Sequence, residues 1–220
     1  MKEPRKRASR SAIVLGLIGL GSALSFSVHA QSVVLPFMTH ATFFSTETQQ
    51  PVLLDPQVFV ADPAGSEGVG PQGIRHVAGV RNARVADSGS LSIVNASHKP
   101  LDMTLGDWLG ADGDVVLTRQ ANGREKITVV LSHLKPNGRY SLFENHFDQK
   151  PVGFTPLDGT GDTNSFVADS AGHAVVTTIT PVPLTHDNAV LVVYHSDGQA
   201  HGRSRGNIGV DAHHQLIARP

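Results

Sequence analysis

Cysteine is absent from the 220 residues. This excludes disulfide staples, thiol nucleophiles, cysteine-bound zinc and iron–sulfur clusters. Histidine, carboxylate and methionine are then the side chains left to hold a transition metal. A lipid anchor on cysteine is excluded as well. Clusters of lysine and arginine are missing after Arg10, so the basic face that displaces counterions from a nucleic acid is not there to be used. No H-E-x-x-H or H-x-H spacing occurs, which removes the sequence support for a metalloprotease or a cupin-type site. The glycines of "GSEGVGPQG" lack the lysine and the strand-to-helix setting of a phosphate loop.

What is present begins with a leader. Residues 1–30 join a basic stretch, "MKEPRKRASR", to an apolar and small-residue run that ends in "VHA" before Gln31. That order is expected of a signal peptide, with the chain exported to the periplasm or secreted and no membrane anchor in its mature part. Of the 18 basic and 19 acidic residues, Lys2, Arg5, Lys6, Arg7, Arg10 and Glu3 belong to this leader, so the remainder carries a net charge of −5. Roughly 190 residues can bury a sufficient core without disulfides.

Turn signals follow one another at short spacing: Asp87-Ser88-Gly89, Asn122-Gly123, Pro136-Asn137-Gly138, Ala171-Gly172 and Asp197-Gly198. Runs of valine, isoleucine, leucine and threonine lie between them, and no long amphipathic helix does. The pattern predicts an all-β, antiparallel sandwich or barrel. "DVVLTRQ" and "REKITVVLSHL" flank Asn122-Gly123 and read as a hairpin closed by a type I′ turn. In its second arm Ile127, Val129 and Leu131 form one apolar face. "MTLGDWLG" (Met103 to Gly110) is the single helical turn expected, with Leu105, Trp108 and Leu109 on one side. The domain division expected is 1–30 leader, 31–83 strand and covering loop, and 84–220 β-sandwich.

The segments "ITVVLSHLKPNGRYSLFENHF", "GDTNSFVADSAGHAVVTTI", "NAVLVVYHSDGQAHGR" and "GNIGVDAHHQLIA" resemble, in that order, the copper/zinc superoxide dismutase family. The resemblance covers about Lys126 to Ala218 and implies an eight-stranded Greek-key sandwich or barrel. It also implies where that family's ligands would fall. The His-x-His copper pair falls on Ser141 and Phe143, and the zinc loop on the histidine-free "DQKPVGFTPLDGTGD". His195 falls on the copper ligand of the "LVVH" strand, and Asp162 falls near the end of the zinc segment. Arg203 and Arg205 come too early to match the family's substrate-guiding arginine.

Eleven histidines follow the leader, enough to ask whether some converge. His195 leaves a strand, His201 follows it across Asp197-Gly198, and His146 ends the strand that the resemblance makes a neighbour. His195 and His146 are therefore the candidate metal ligands, with copper or zinc as the ion. His213 and His214 are adjacent on a strand and point to opposite faces. The leading expectation is an exported, non-catalytic β-sandwich binding module, with Ser141 to Phe147 and Tyr194 to His201 as its functional surface. The alternative is a superoxide dismutase-like metalloprotein with a reduced ligand set, and a third reading is a structural surface component with no small ligand.

Overall fold

The computed structural model describes residues 32–220; the expected leader lies outside them. In chain order the first half holds β1 (Ser32–Pro36), β2 (Met38–Thr39), α1 (His40–Glu47), β3 (Leu54–Ala61), β4 (Gly68–Val69), β5 (Arg75–His76), β6 (Val80–Arg84), β7 (Ser92–Val94), β8 (Pro100–Thr104) and α2 (Leu105–Leu109). The second half is all strand: β9 (Asp112–Arg119), β10 (Glu125–Ser132), β11 (Arg139–His146), β12 (Gly153–Pro156), β13 (Ser165–Val167), β14 (Ala174–Thr180), β15 (Asn188–His195) and β16 (Ala212–Ala218). The chain is mostly β, with two short helices, and its sheets are antiparallel. Among the described residues no helix is long and apolar enough to cross a membrane.

Two sheets face each other. The first runs β1-β9-β10-β14 and the second β12-β11-β15-β16-β2, with β13 on the same edge of β11 as β12. Alternation decides what lies between them. Val115 and Leu117 of β9 and Ile127, Val129 and Leu131 of β10 meet Tyr140, Leu142, Val190, Val192, Tyr194 and Leu216 of the second sheet. Each of these side chains contributes about 2 kcal/mol by leaving water. The other face of the first sheet is bare: Val130 and Val175 are exposed, and Thr128 and Thr177 bond across it at 2.9 Å.

The second sheet is covered on both faces, which is why "AVLVVY" reads as an unbroken apolar run rather than an alternation. Its outer face carries Phe143, Leu191, Val193 and Ile217, packed against Phe43, Phe147, Phe154 and Ile208. Part of that cover comes from residues 37–111, which enter between β1 and β9 and form their own sheet, β6-β3-β7-β8. The boundary expected at residue 84 therefore runs through a sheet: β6 ends at Arg84 and pairs with β3, whose other neighbour is β7. The break in the sandwich is instead this insertion, since β1 already pairs with β9 from Ser32 onward.

Local chemistry explains the remaining differences. The hairpin forms, but only Gly123 takes a positive φ (78°), and Gln120 N donates to Arg124 O at 2.9 Å. The loop thus has three residues and is not a type I′ turn. α2 begins with a capping box, Thr104 and Asp107 each satisfying the other's backbone N–H. α1 has no apolar 3.6-residue stripe; it is capped by Thr39 and buries His40, Ala41 and Ser45, so its sequence carries almost no helical signal.

The insertion is tied to the sandwich by polar groups. Trp108 Nε1 donates to Asp55 Oδ2 at 2.8 Å, and Asp55 Oδ1 accepts from Gln57 N and Val58 N at 2.8 and 3.0 Å. Gln215 Nε2 donates to Trp108 O at 2.9 Å. Trp108→Phe keeps most of the apolar volume but strands one carboxylate oxygen in a dry site. Urea unfolding at pH 7 is expected to show a loss of about 2 kcal/mol.

Candidate metal centre

The β11–β15 ladder decides which histidines can meet. Arg139 lies opposite His195, and His146 lies opposite Asn188. The two expected ligands therefore sit at opposite ends of one ladder, about 24 Å apart at the usual rise per residue. An ion shared by His195 and His146 is not formed. His146 is occupied locally instead: its Nε2 bonds Thr155 Oγ1 at 2.9 Å, and its Nδ1 lies 3.3 Å from Asn188 Nδ2 and 3.7 Å from Glu144 Oε1. Asp162 is exposed on a loop organised by Asp158, which accepts from the backbone N–H groups of Thr160, Gly161 and Thr163.

His195 finds other company. It closes β15, is 1% exposed, and its Nε2 lies 2.8 Å from Ser141 Oγ, which in turn lies 3.0 Å from Ser165 Oγ. Its Nδ1 is buried with no hydrogen-bond partner. The Asp197-Gly198 turn, with Gly198 at φ 72°, swings the chain back so that the His201 ring stands 5.0 Å from the His195 ring. Asp197 Oδ2 is 3.1 Å from His201 Nε2. That nitrogen still has no hydrogen bond. One ligand atom from each of His195, Asp197 and His201 lies within 4.8 Å of the others. A cleft of about 410 Å³ borders His195 and Asp197.

Two imidazoles and one carboxylate with room for an exogenous ligand suit zinc, copper or ferrous iron. The details fit that use. Burial, followed by the neighbouring His201, pushes the His195 pKa down to about 4, so the ring is neutral, the form that binds metal. In the tautomer whose Nε2–H donates to Ser141, with the Ser141 hydroxyl passing on to Ser165, the Nδ1 lone pair is free for an ion. The ligand pair that the resemblance would require is not built: Ser141 serves as the hydrogen-bond partner just described, and Phe143 packs in the apolar cluster. His201 was within reach of the sequence, through its spacing across Asp197-Gly198. The choice of His146 over it depended on strand polarity.

A second group of histidines lies where β16 meets the insertion. His214 N donates to Gln57 Oε1 at 2.6 Å, and His213 Nδ1 lies 3.2 Å from Gln57 O. His214 Nδ1 lies 3.4 Å from His40 Nε2, and His214 Nε2 lies 3.0 Å from Arg205 NH1. Burial, then the Arg205 charge, lowers the His40 pKa to about 3; burial lowers that of His213 to about 4 and drives that of His214 well down. Burial raises the Asp55 carboxyl to about 6, against the hydrogen bonds from Gln57, Trp108 and Val58.

These shifts set a direction for acid stability. In the unfolded chain the three histidines take up protons near pH 6.5, while in the folded chain His40 refuses them until about pH 3 and His213 until about pH 4, and His214 is likewise held well down. The unfolded state therefore binds more protons in that window, and stability falls as pH falls through it. Asp55 works the other way between about pH 6 and 3.8. Between pH 7 and 5 His40 and His213 each cost about 2 kcal/mol, His214 acts in the same direction, and Asp55 returns about 1 kcal/mol. Urea midpoints measured at pH 7 and pH 5 should drop by an amount worth several kcal/mol, and the drop should shrink in His213→Gln. In comparison with known proteins, no family model and no curated protein matches the chain, so function is argued from the site itself.

Proposed function

We propose that this chain is an exported, non-catalytic β-sandwich binding module whose ligand is one divalent transition-metal ion, held by His195, Asp197 and His201. The observation that carries this reading is the buried His195, whose Nδ1 has no partner in the protein and which offers a ring nitrogen within 4.8 Å of ligand atoms of Asp197 and His201. An orphaned polar atom in a dry site is costly unless something else satisfies it. The leader supports export to the periplasm or the exterior.

The connections between sheets support the resemblance to the copper/zinc superoxide dismutase family. β10 and β14 are neighbours although β11, β12 and β13 intervene, and β11 and β15 are neighbours although β12, β13 and β14 intervene. Such crossings between two sheets suit a Greek-key arrangement. The ligand set differs from that family's, with Ser141 and Phe143 where a His-x-His pair would stand. Binding of an ion, rather than superoxide turnover, is the activity these residues support.

The test is metal content and calorimetric titration with zinc and copper on protein recovered from the periplasm. One equivalent per chain is expected, lost in His195→Ala and in His201→Ala and kept in His146→Ala. Ser141→Ala, which removes the partner of His195 Nε2, should weaken binding about 10- to 100-fold. Wild-type protein that takes up no ion, or uptake indifferent to His195 and His201, would sink the proposal.

A further inference from the structure

A cavity of about 300 Å³ lies at the other end of the covered sheet, between α1, β12 and the outer faces of β11 and β16. Its walls are aromatic: Phe43 and Phe44 from α1, Phe147, and Phe154 from β12. Three buried polar side chains also line it, His40, Asn145 and His214. Two of them present atoms with no partner in the protein, His40 Nδ1 and Asn145 Oδ1. Two orphans on one small cavity are more than a folded chain keeps without use.

Their hydrogen-bond characters follow from a single cation. Arg205 NH1 lies 3.0 Å from His214 Nε2, and a guanidinium can only donate. His214 Nε2 therefore accepts, and the proton of the neutral ring sits on Nδ1. That proton points at His40 Nε2, 3.4 Å away, with the two rings at 87°. His40 Nε2 is thus also an acceptor, so neutral His40 carries its proton on Nδ1. The cavity offers one unmet donor, His40 Nδ1–H, and one unmet acceptor, Asn145 Oδ1. The Arg205 charge is already spent on His214 and on the face of Phe154, 3.2 Å from the ring centroid. The carboxylate of Glu47 stands at the rim.

We propose that this cavity is a second binding site, for a neutral flat aromatic molecule bearing both a carbonyl and an N–H, such as an aryl carboxamide or lactam. The aromatic walls take the ring, His40 Nδ1–H donates to the carbonyl, and Asn145 Oδ1 accepts from the N–H. An anionic acid is disfavoured by Asn145 Oδ1, and both nearby guanidinium groups are already engaged, Arg205 by His214 and Phe154 and Arg219 by Glu47, His186 O and Phe147.

The probes are 2-naphthamide, 2-acetylnaphthalene, which lacks the donor, and 2-naphthoate, which is charged. Each is titrated by calorimetry into the exported protein in the presence of EDTA, so that an ion at His195 plays no part. The amide should bind tightest, the ketone about tenfold more weakly and the acid weakest. Asn145→Leu removes the orphan acceptor. It should bring the amide down to the level of the ketone, leave the ketone unchanged, and keep or raise the unfolding midpoint of the free protein. Val152→Trp, at a half-exposed lining position, fills the cavity without taking away a hydrogen bond and should abolish binding of all three. The proposal is overturned if no probe binds, if the acid binds as tightly as the amide, or if the amide is indifferent to both substitutions.

Discussion

The backbone N–H of His214 donates to the side chain of Gln57 at 2.6 Å, and much of the molecule depends on that bond and its neighbours. β16 has a bulge: Val192 faces Leu216 and Val193 faces His214, so Gln215 has no partner on β15. On its other edge β16 meets β2 only at Leu216 and Ile217. The insertion buries His213, His214 and Gln215, so it must also meet their polar groups. β3 supplies Gln57, and Trp108 supplies a carbonyl to Gln215. Asp55 in turn anchors Trp108. A buried bulge thus requires the insertion, and the insertion requires a buried carboxylate.

That arrangement also explains the electrostatics. Covering the outer face of the second sheet removes water from His40, His213 and His214, and neutral rings are the only form such a site tolerates. The cost appears as acid lability. The benefit is that these rings hold fixed tautomers, because Arg205 can only donate to His214 Nε2, which leaves the His214 proton on Nδ1 facing His40 Nε2, and Gln57 O can only accept from His213 Nδ1. His195 reaches a similar state by another route. Its cover is the loop from Ser196 to Asp211, tied down by Arg139 Nε to Gly198 O and by Asn207 N to Asp211 Oδ1, and joined to the insertion by Ala96 N to Gly209 O.

The strands that alternate or run apolar were legible in the sequence, and so were the turns that separate them. β9, β10, β11, β14, β15 and β16 declare themselves through valine, isoleucine and leucine between Gly, Asn and Asp. β3 does not, because Asp55, Pro56 and Gln57 interrupt it, and those are the residues that make the insertion fit. The candidate site was half legible. His195 and the Asp197-Gly198 turn point to His201 through local spacing alone. Pairing His146 with His195 would require neighbouring strands to share their ends. In an antiparallel pair the end of one strand lies beside the start of the other, so the end of β15 meets Arg139 and not His146.

The two faces of the sandwich are therefore not equivalent, and the difference bears on function. The first sheet leaves valine and threonine in water and spends no polar residue on them. The second sheet is covered at one end by the 196–211 loop and at the other by α1 and β12, and each cover encloses polar atoms without partners. Covering a sheet for stability alone would call for apolar side chains on both layers, since a buried imidazole contributes less than a leucine and risks a protonation penalty. His195 Nδ1, His40 Nδ1 and Asn145 Oδ1 all lie under these covers. These are the atoms that the proposed ion and the proposed neutral aromatic would complete.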